Sequence, residues 1–531
     1  MGEADTPKVL GELIEDRAKK LGSKVFLRFK DQAFTYEEMD RLSNRYAHGY
    51  QKIGIKKNDK VSFMLPNSPE LIFLWFGAAK VGAVEVPINT SYKAEFLRHI
   101  VDQSDSRILA IAPEYIDRVK LIQDGLKKLE KVMILGDFDK KDIEGLKFPV
   151  MTLEEFADGP DTPVDVAVYE WDPHNIIYTS GTTGLSKGAL APHKFWLVVA
   201  EKMLELRRGT KDDIFYTFLP LYHFNAQCLT TMTALIAEAE MVLSDKFSAS
   251  RFWDDIRKYK ATQFNYLGAV IPILNKQAEK PDDHDNPVRI AFGAGCPQNV
   301  MDQFEKRFGV TCMEGFGMSE IGIAIHVTLD DRRPGSCGKV LDIYEIKLVD
   351  DFDNEVPIGE PGEILFRPKE PFTMMLGYYN MPEKTLESYQ NLWFHTGDLA
   401  KKDADGYYYF VDRKKDSLRR RGENISSFEV ERAINTHPKV LESAAVAVSS
   451  ELAEDEVKIC VVLKPGETLT PEELIKHAAD RMPYFAVPRY VEFMESLPKT
   501  PTERVQKFQL RQAGITANTW DREKAGIEIK R

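Results

Sequence analysis

Residues Ile176 to Ala189 read "IIYTSGTTGLSKGA": an apolar run, then Gly181, Gly184 and Gly188 spaced among hydroxyl side chains, with one cation, Lys187. Glycine lets a backbone approach a ligand closely, and hydroxyls and exposed N–H groups donate hydrogen bonds, a combination that suits phosphate oxygens. A Walker A loop needs Gly, four residues, then Gly-Lys-Ser/Thr. This segment departs from it, because Leu185 and Ser186 separate Gly184 from Lys187, and Gly188 stands where that loop puts its metal-binding hydroxyl. A Gly/Ser/Thr cluster is equally a plain surface turn. Its surroundings decide.

The strand "NIIY" feeds this loop, and "VTCMEG" feeds "FGMSE" in the same way. Loops at the carboxyl ends of parallel strands are where open α/β sheets hold ligands. Upstream, "KVSFMLP", an apolar helix from about Glu70 to Val81, and "AVEVPIN" give strand, helix and strand, a parallel crossover unit. The expected class is α/β with buried parallel sheets. Thr35 and Glu38 stand at capping-box spacing ahead of Met39, Leu42, Tyr46 and Tyr50, which recur at helical intervals.

At 531 residues the chain is too long for one core and implies at least two domains. A net charge of -12 argues against general nucleic-acid binding, which needs a basic surface. The five cysteines, Cys228, Cys296, Cys312, Cys337 and Cys460, form no C-x-x-C pair, so neither a disulfide framework nor a structural zinc is indicated. No run approaches 18 uninterrupted apolar residues, and the first twenty residues lack an apolar core. The expectation is a soluble cytoplasmic protein without stable membrane insertion.

Composition shifts at "DADGYYYFVDRKKDSLRRRGENIS", where an Asp405-Gly406 turn and an aromatic strand precede a cluster of cations. Beyond it, "ESAAVAV", "VKICVVL" and a helix opened by Thr470, Pro471 and Glu473 make a small α/β pattern. The expected organisation is an N-terminal domain over 1–412, itself of two subdomains, a hinge over 413–416 at Lys415, and a C-terminal lid over 417–531.

Seven segments, "YTSGTTGLSKGA", "LPLYHFN", "EGFGMSEIG", "GEILFRP", "FHTGDL", "DRKKD" and "RRGENIS", occur collinearly over nearly the whole chain. Together they resemble the adenylate-forming acyl- and aryl-CoA synthetases. "VPINTSYKAEFLRHIVDQSDSRILA" and "PYFAVPRYVEF" look like the bacterial crotonobetaine/carnitine-CoA ligases and nearby medium-chain or aromatic acid ligases. The resemblance implies an ATP-dependent acid:CoA ligase with Mg²⁺ and coenzyme A. Its substrate would be a small or medium carboxylic acid, carnitine-like acids included, and its form a monomer or homodimer.

By that resemblance Thr179, Ser180, Gly181, Thr182, Thr183, Gly184 and Lys187 face the ATP phosphates. Gly295, Cys296, Glu314, Gly315, Phe316, Gly317, Met318 and Ser319 belong to the same ATP site, Gly295 and Cys296 beside the adenine and Phe316 stacking on it. The cysteine is a mild departure from the family's Gly-Ala pair. Glu320 matches the magnesium carboxylate, with Thr179 beside the same metal, and hard oxygen ligands suit Mg²⁺. Asp398 and Arg413 match the ribose-binding pair. His223 is implied to gate or position the acyl carboxylate, which is already ionised at pH 7 and needs no base. The acyl pocket would be His223, Phe224, Tyr266, Gly268, Gly293, Met318 and Ile323.

Arg419, Arg420, Arg421 and Gly422 lie where the family turns toward the CoA tunnel; three arginines are equally a solvated charge run or a binding site for the CoA 3′-phosphate. The family's catalytic lysine sits in "PTGK", whereas this chain reads "PTERVQK". Arg504 or Lys507 is left to supply that charge. Three other readings share the fold: a non-catalytic or CoA-independent acyl-adenylate binder, an amino-acid-activating domain, and a luciferase-type oxygenase.

Overall fold

The computed structural model describes residues 7–179, 185–267, 270–296, 298–413, 417–420, 423–449, 455–498, 505 and 507–529. Two compact units are present. The larger gathers Met1–Thr90, Val101–Ile177 and Gly188–Asp412, the smaller Ser91–Ile100, Tyr178–Lys187 and Arg413–Arg531.

Local signals start the elements of the larger unit. Thr35 and Glu38 close a reciprocal capping box on the helix Tyr36–Lys52, and Ser68 caps Pro69–Lys80 by accepting from the Leu71 N–H, with Pro69 in the first turn. Every residue of Pro69–Lys80 except Glu70 is buried, which explains its lack of a polar face. Its last residue, Lys80, keeps its charge under cover by pairing with Glu15 at 3.0 Å and Asp40 at 2.8 Å.

An eight-stranded sheet runs parallel from Val150–Thr152 through Lys131–Ile134, Ser106–Ile111, Lys60–Met64 and Val84–Pro87 to Pro173–Thr179. A nine-stranded sheet has a parallel centre, Thr311–Met318, Ile290–Gly293, Gln263–Asn265, Ile214–Thr217, Glu240–Leu243 and Val25–Phe29, closed at both edges by antiparallel pairs. A smaller antiparallel sheet holds Tyr344–Val349, Gly362–Pro368 and Trp393–Lys402, with Tyr408–Arg413 beside the last. The α/β class with parallel sheets is therefore what the chain adopts.

In the smaller unit Val440–Ser449, Asp455–Leu463, Tyr490–Phe493 and Trp520–Asp521 form one sheet, covered by Ser427–Asn435 and Pro471–Ala479. Thr470 and Glu473 again close a capping box, with Pro471 in the first turn. Val430, Ile434, Ile459, Leu474 and Phe485 build its core, and Phe96 of the segment Ser91–Ile100 joins it. Among the described residues no helix is long and apolar enough to cross a membrane, and all five cysteines are free thiols.

Candidate active site

Three adjacent parallel strands of the nine-stranded sheet, Gln263–Asn265, Ile290–Gly293 and Thr311–Met318, end side by side. Their carboxyl ends bring together Tyr266, Gly293, Gly295, Cys296 and Glu314. The Glu314 Oε1 accepts from the Cys296 N–H at 2.8 Å and from the Tyr266 hydroxyl at 3.2 Å. Burial, and then Glu314, pushes the Cys296 thiol up to about 12, so this cysteine is a small packing group and not a nucleophile. Gly293 is required sterically, since a Cβ there would run into the Tyr266 carbonyl and ring. Gly268 lies outside the described residues.

The sequence suggests a loop at "FGMSE", but the strand does not stop there. Up to Glu314 it pairs in parallel with Ile290–Gly293; from Gly315 it pairs antiparallel with Gly322–His326, with an irregularity between Phe316 and Gly317. The reason is non-local: the returning strand offers new hydrogen-bond partners as the parallel ones end. Gly317 is explained by the same approach, because a Cβ would meet the Gly322 carbonyl. Phe316 is partly buried, its ring nearly parallel to Phe366 (15°) and Phe410 (25°), each 6.3 Å away. Met318, Ser319 and Ile323 are half-buried on the two arms and turn of this hairpin.

Glu320 occupies that turn and is only 2% exposed. Its Oε1 accepts from the Tyr378 hydroxyl at 2.9 Å, and its backbone carbonyl accepts from the Met375 N–H at 2.9 Å. A glutamate in a loop is ordinarily solvated; here Tyr378, distant in sequence, covers it. Burial, and then Glu320, raises the Tyr378 phenol far above its ordinary range. Asp398 is also buried, on Trp393–Lys402, where the pairing with Gly362–Pro368 is irregular. Its N–H donates to Thr396 Oγ1 at 3.1 Å, Thr396 anchors to the Ile364 carbonyl at 2.8 Å, and the Gly397 N–H donates to Glu363 Oε1 at 3.0 Å. Bulged strands re-aim side chains beside active sites. Arg413 ends the strand Tyr408–Arg413.

His223 is half-buried, its ring edge-on to Tyr222 at 4.8 Å, and its N–H donates to the Pro220 carbonyl. Phe224 is buried against Phe195 and Trp196, 5.9 and 5.1 Å away. Immediately after them Asn225–Met232 is a π-helix, a form that tends to mark functional sites. Nothing in the local sequence announces it.

In the smaller unit Thr179 ends one strand and Lys187 begins the next, with Thr179 Oγ1 donating to the Lys187 carbonyl at 3.5 Å. Ser180, Gly181, Thr182, Thr183 and Gly184 lie outside the described residues. Ser186 is buried, and its N–H and hydroxyl donate to Glu429 Oε1 at 3.1 and 2.8 Å.

Arg420 is no solvated charge. It is 2% exposed, donates to the carbonyls of Phe485 and Val487 at 3.1 and 3.2 Å, and pairs with Glu456 at 2.7 Å. Those contacts brace the small unit. Arg419 lies on Ser417–Arg420. Lys507 opens the helix Lys507–Ala513, and its ammonium donates to Ser427 Oγ at 2.7 Å and pairs with Glu431 at 2.6 Å. Arg421, Gly422, Lys415 and Arg504 lie outside the described residues.

Comparison with known proteins matches residues 14–379 to the AMP-binding enzyme family and residues 429–504 to the AMP-binding enzyme C-terminal domain. A crotonobetaine/carnitine–CoA ligase of Salmonella heidelberg (strain SL476) is 33% identical over 515 residues, covering 94% of this chain and 98% of the relative. Among solved structures, an anthranilate CoA ligase, AuaEII, in complex with anthranoyl-AMP superposes with a TM-score of 0.72 at 26% identity, covering 97% of this chain and 99% of the other. A double mutant of the o-succinylbenzoate CoA synthetase of Bacillus subtilis shares the fold, with a TM-score of 0.80 at 22% identity and coverage of 94% and 98%.

Proposed function

From the premise that the chain belongs to the AMP-binding enzyme family, and is an ATP-dependent acyl-CoA synthetase, we propose a two-step reaction on a small or medium carboxylic acid. In the first step a carboxylate oxygen attacks the α-phosphorus of ATP, forming the acyl-AMP anhydride as the bond to pyrophosphate breaks. In the second the CoA sulfur forms its bond to the acyl carbon, losing the thiol proton, and AMP leaves. The likeness to the Salmonella ligase supports carnitine- or crotonobetaine-like acids as the first to test.

The first step gathers anions, so it needs charge placed where negative charge develops. Glu320 carries the reading: a buried carboxylate, set by a hairpin turn and held by Tyr378, is a hard oxygen donor that suits Mg²⁺, an ion usually bound by one or two carboxylates plus substrate phosphates. Bound there, Mg²⁺ would neutralise phosphate charge. Among the described residues no group of three or more metal-ligating side chains exists, which fits an ion held mainly by its nucleotide. Thr179 and Lys187 serve the phosphates in this reading, Asp398 and Arg413 the ribose, Phe316 the adenine, and His223 with Phe224 the acyl end. A hinge over 413–416 lets the smaller unit turn between the two half-reactions.

The test is pyrophosphate exchange, with and without CoA, on carnitine, crotonobetaine, butyrate, octanoate and benzoate. Acid-dependent exchange plus CoA-dependent AMP release is the expected result. Exchange with no thioester product for any acid would leave a CoA-independent adenylate former instead.

A further inference from the structure

Arg207 caps the helix His193–Leu206 and is 1% exposed. Among the described residues no carboxylate stands within 4 Å of its guanidinium. Its Nη1 donates to Asn265 Oδ1 at 2.7 Å and its Nη2 to the Leu229 carbonyl at 3.0 Å, while the guanidinium lies 4.6 Å over the Phe292 ring. Taking a guanidinium out of water is costly, and the favourable charge acting on it, Asp213, does so from a distance while pairing directly with Arg289. A side chain with that cost, linked only to neutral partners, braces a geometry that an apolar residue of the same volume would not.

That geometry is the π-helix. Asn265 closes the strand Gln263–Asn265, one residue before Tyr266, and its Nδ2 donates to Asn225 Oδ1 at 2.6 Å and Thr230 Oγ1 at 3.0 Å. Arg207 therefore reaches both the first turn of Asn225–Met232, through Asn265, and its middle, at Leu229. Thr231 and Thr233 donate their hydroxyls to the carbonyls five residues back, Ala226 and Cys228, as a widened turn allows. From the other side Gln227 donates to Glu85 Oε1 at 2.7 Å, a carboxyl with no exposed surface that burial pushes toward its neutral form. The segment so clamped begins next to His223 and Phe224.

We propose that Arg207 is a positioning residue for the acyl-binding end of the site: by bridging Asn265 and the Leu229 carbonyl it fixes the π-helix, and with it the placement of His223, Phe224 and Asn225. The inference rests on the ligase reading for its substrate. Lysine cannot replace arginine in this role, because one ammonium lacks the planar fork that reaches two acceptors at fixed separation.

Arg207→Lys and Arg207→Met in the full-length chain test it, with pyrophosphate exchange giving KM for acid and for ATP, and amide hydrogen exchange giving local protection. In Arg207→Lys the acid KM rises about tenfold, the size of one lost hydrogen bond to a charged group, while the ATP KM stays within about twofold. Amides of 225–232 lose protection by a similar factor, and those of Pro69–Lys80 keep theirs. Parallel changes in both KM values, or unchanged protection of 225–232, overturn the proposal. If Arg207→Met fails to fold, the lysine variant decides alone. A wild type that shows no acid-dependent exchange with any acid sinks the ligase reading instead, and hydrogen exchange still decides the clamp.

Discussion

The candidate carboxylates of the larger unit and the candidate cations of the smaller one are treated differently by the fold. Glu320 and Asp398 are buried at irregularities in strands, one at a hairpin turn beneath Tyr378 and one at a bulge behind Thr396. Arg420 and Lys507 are held by carboxylates of their own unit, Glu456 and Glu431. In sequence this contrast is not visible: Glu320 is singled out only by its motif, and the three arginines read equally as a solvated charge run or a CoA-phosphate site. Charge density along the chain is therefore a poor guide to burial.

The strongest way to break this comparison is Arg420→Ala. Removing one partner of a buried pair leaves Glu456 with only its longer contact to Arg489 at 3.9 Å, and unfolding stability should fall by about 3 kcal/mol, measured by chemical denaturation of the purified variant. A loss confined to CoA binding, with stability unchanged, would return Arg420 to the site. Next in size, Glu320→Gln keeps an acceptor for Tyr378 but loses the ligand charge, and should slow pyrophosphate exchange by roughly 10²–10³ with little change in thermal midpoint. Near-normal exchange with Mg²⁺ would remove Glu320 from the metal.

Arg504→Ala and Lys507→Ala sharpen the second half of the comparison. With Lys507 engaged by Ser427 and Glu431, Arg504→Ala should cut adenylation by about two decades, and Lys507→Ala should act mainly on stability, by about 1 kcal/mol. Single-turnover adenylation and denaturant midpoints separate them, and a reversed pattern would assign the catalytic charge to Lys507. The smallest effect concerns Cys296, whose thiol at about 12 stays protonated through pH 8: iodoacetamide at that pH should leave adenylation unchanged, and inactivation that maps to Cys296 by peptide mass would contradict its packing role.

What could be read directly from the sequence was local. The Thr35/Glu38 and Thr470/Glu473 capping boxes mark the observed helix starts, the apolar run from about Glu70 falls on Pro69–Lys80, and Gly406 takes the positive φ that its turn needs. The parallel crossover at Lys60–Met64, Pro69–Lys80 and Val84–Pro87 follows from the same short-range pattern. Features that depend on distant partners were not visible. The strand through Phe316 owes its continuation to Gly322–His326, the burial of Glu320 to Tyr378, and the π-helix to side chains from three separate elements. Motif spacing picked out which residues of the candidate site to examine; their orientation came from contacts that no spacing encodes.

The change of partner inside Thr311–Met318 bears on how this chain can vary. Up to Glu314 the strand is in register with one neighbour and beyond it with another, the irregularity at Phe316 and Gly317 absorbing the mismatch. Because side chains alternate faces at every residue, deleting one position between Gly315 and Met318 would turn Phe316 to the opposite face and draw Glu320 out from under Tyr378. Length here is thus constrained as well as identity: Gly317 leaves no room for a Cβ, and a single-codon insertion or deletion would dismantle both positions together.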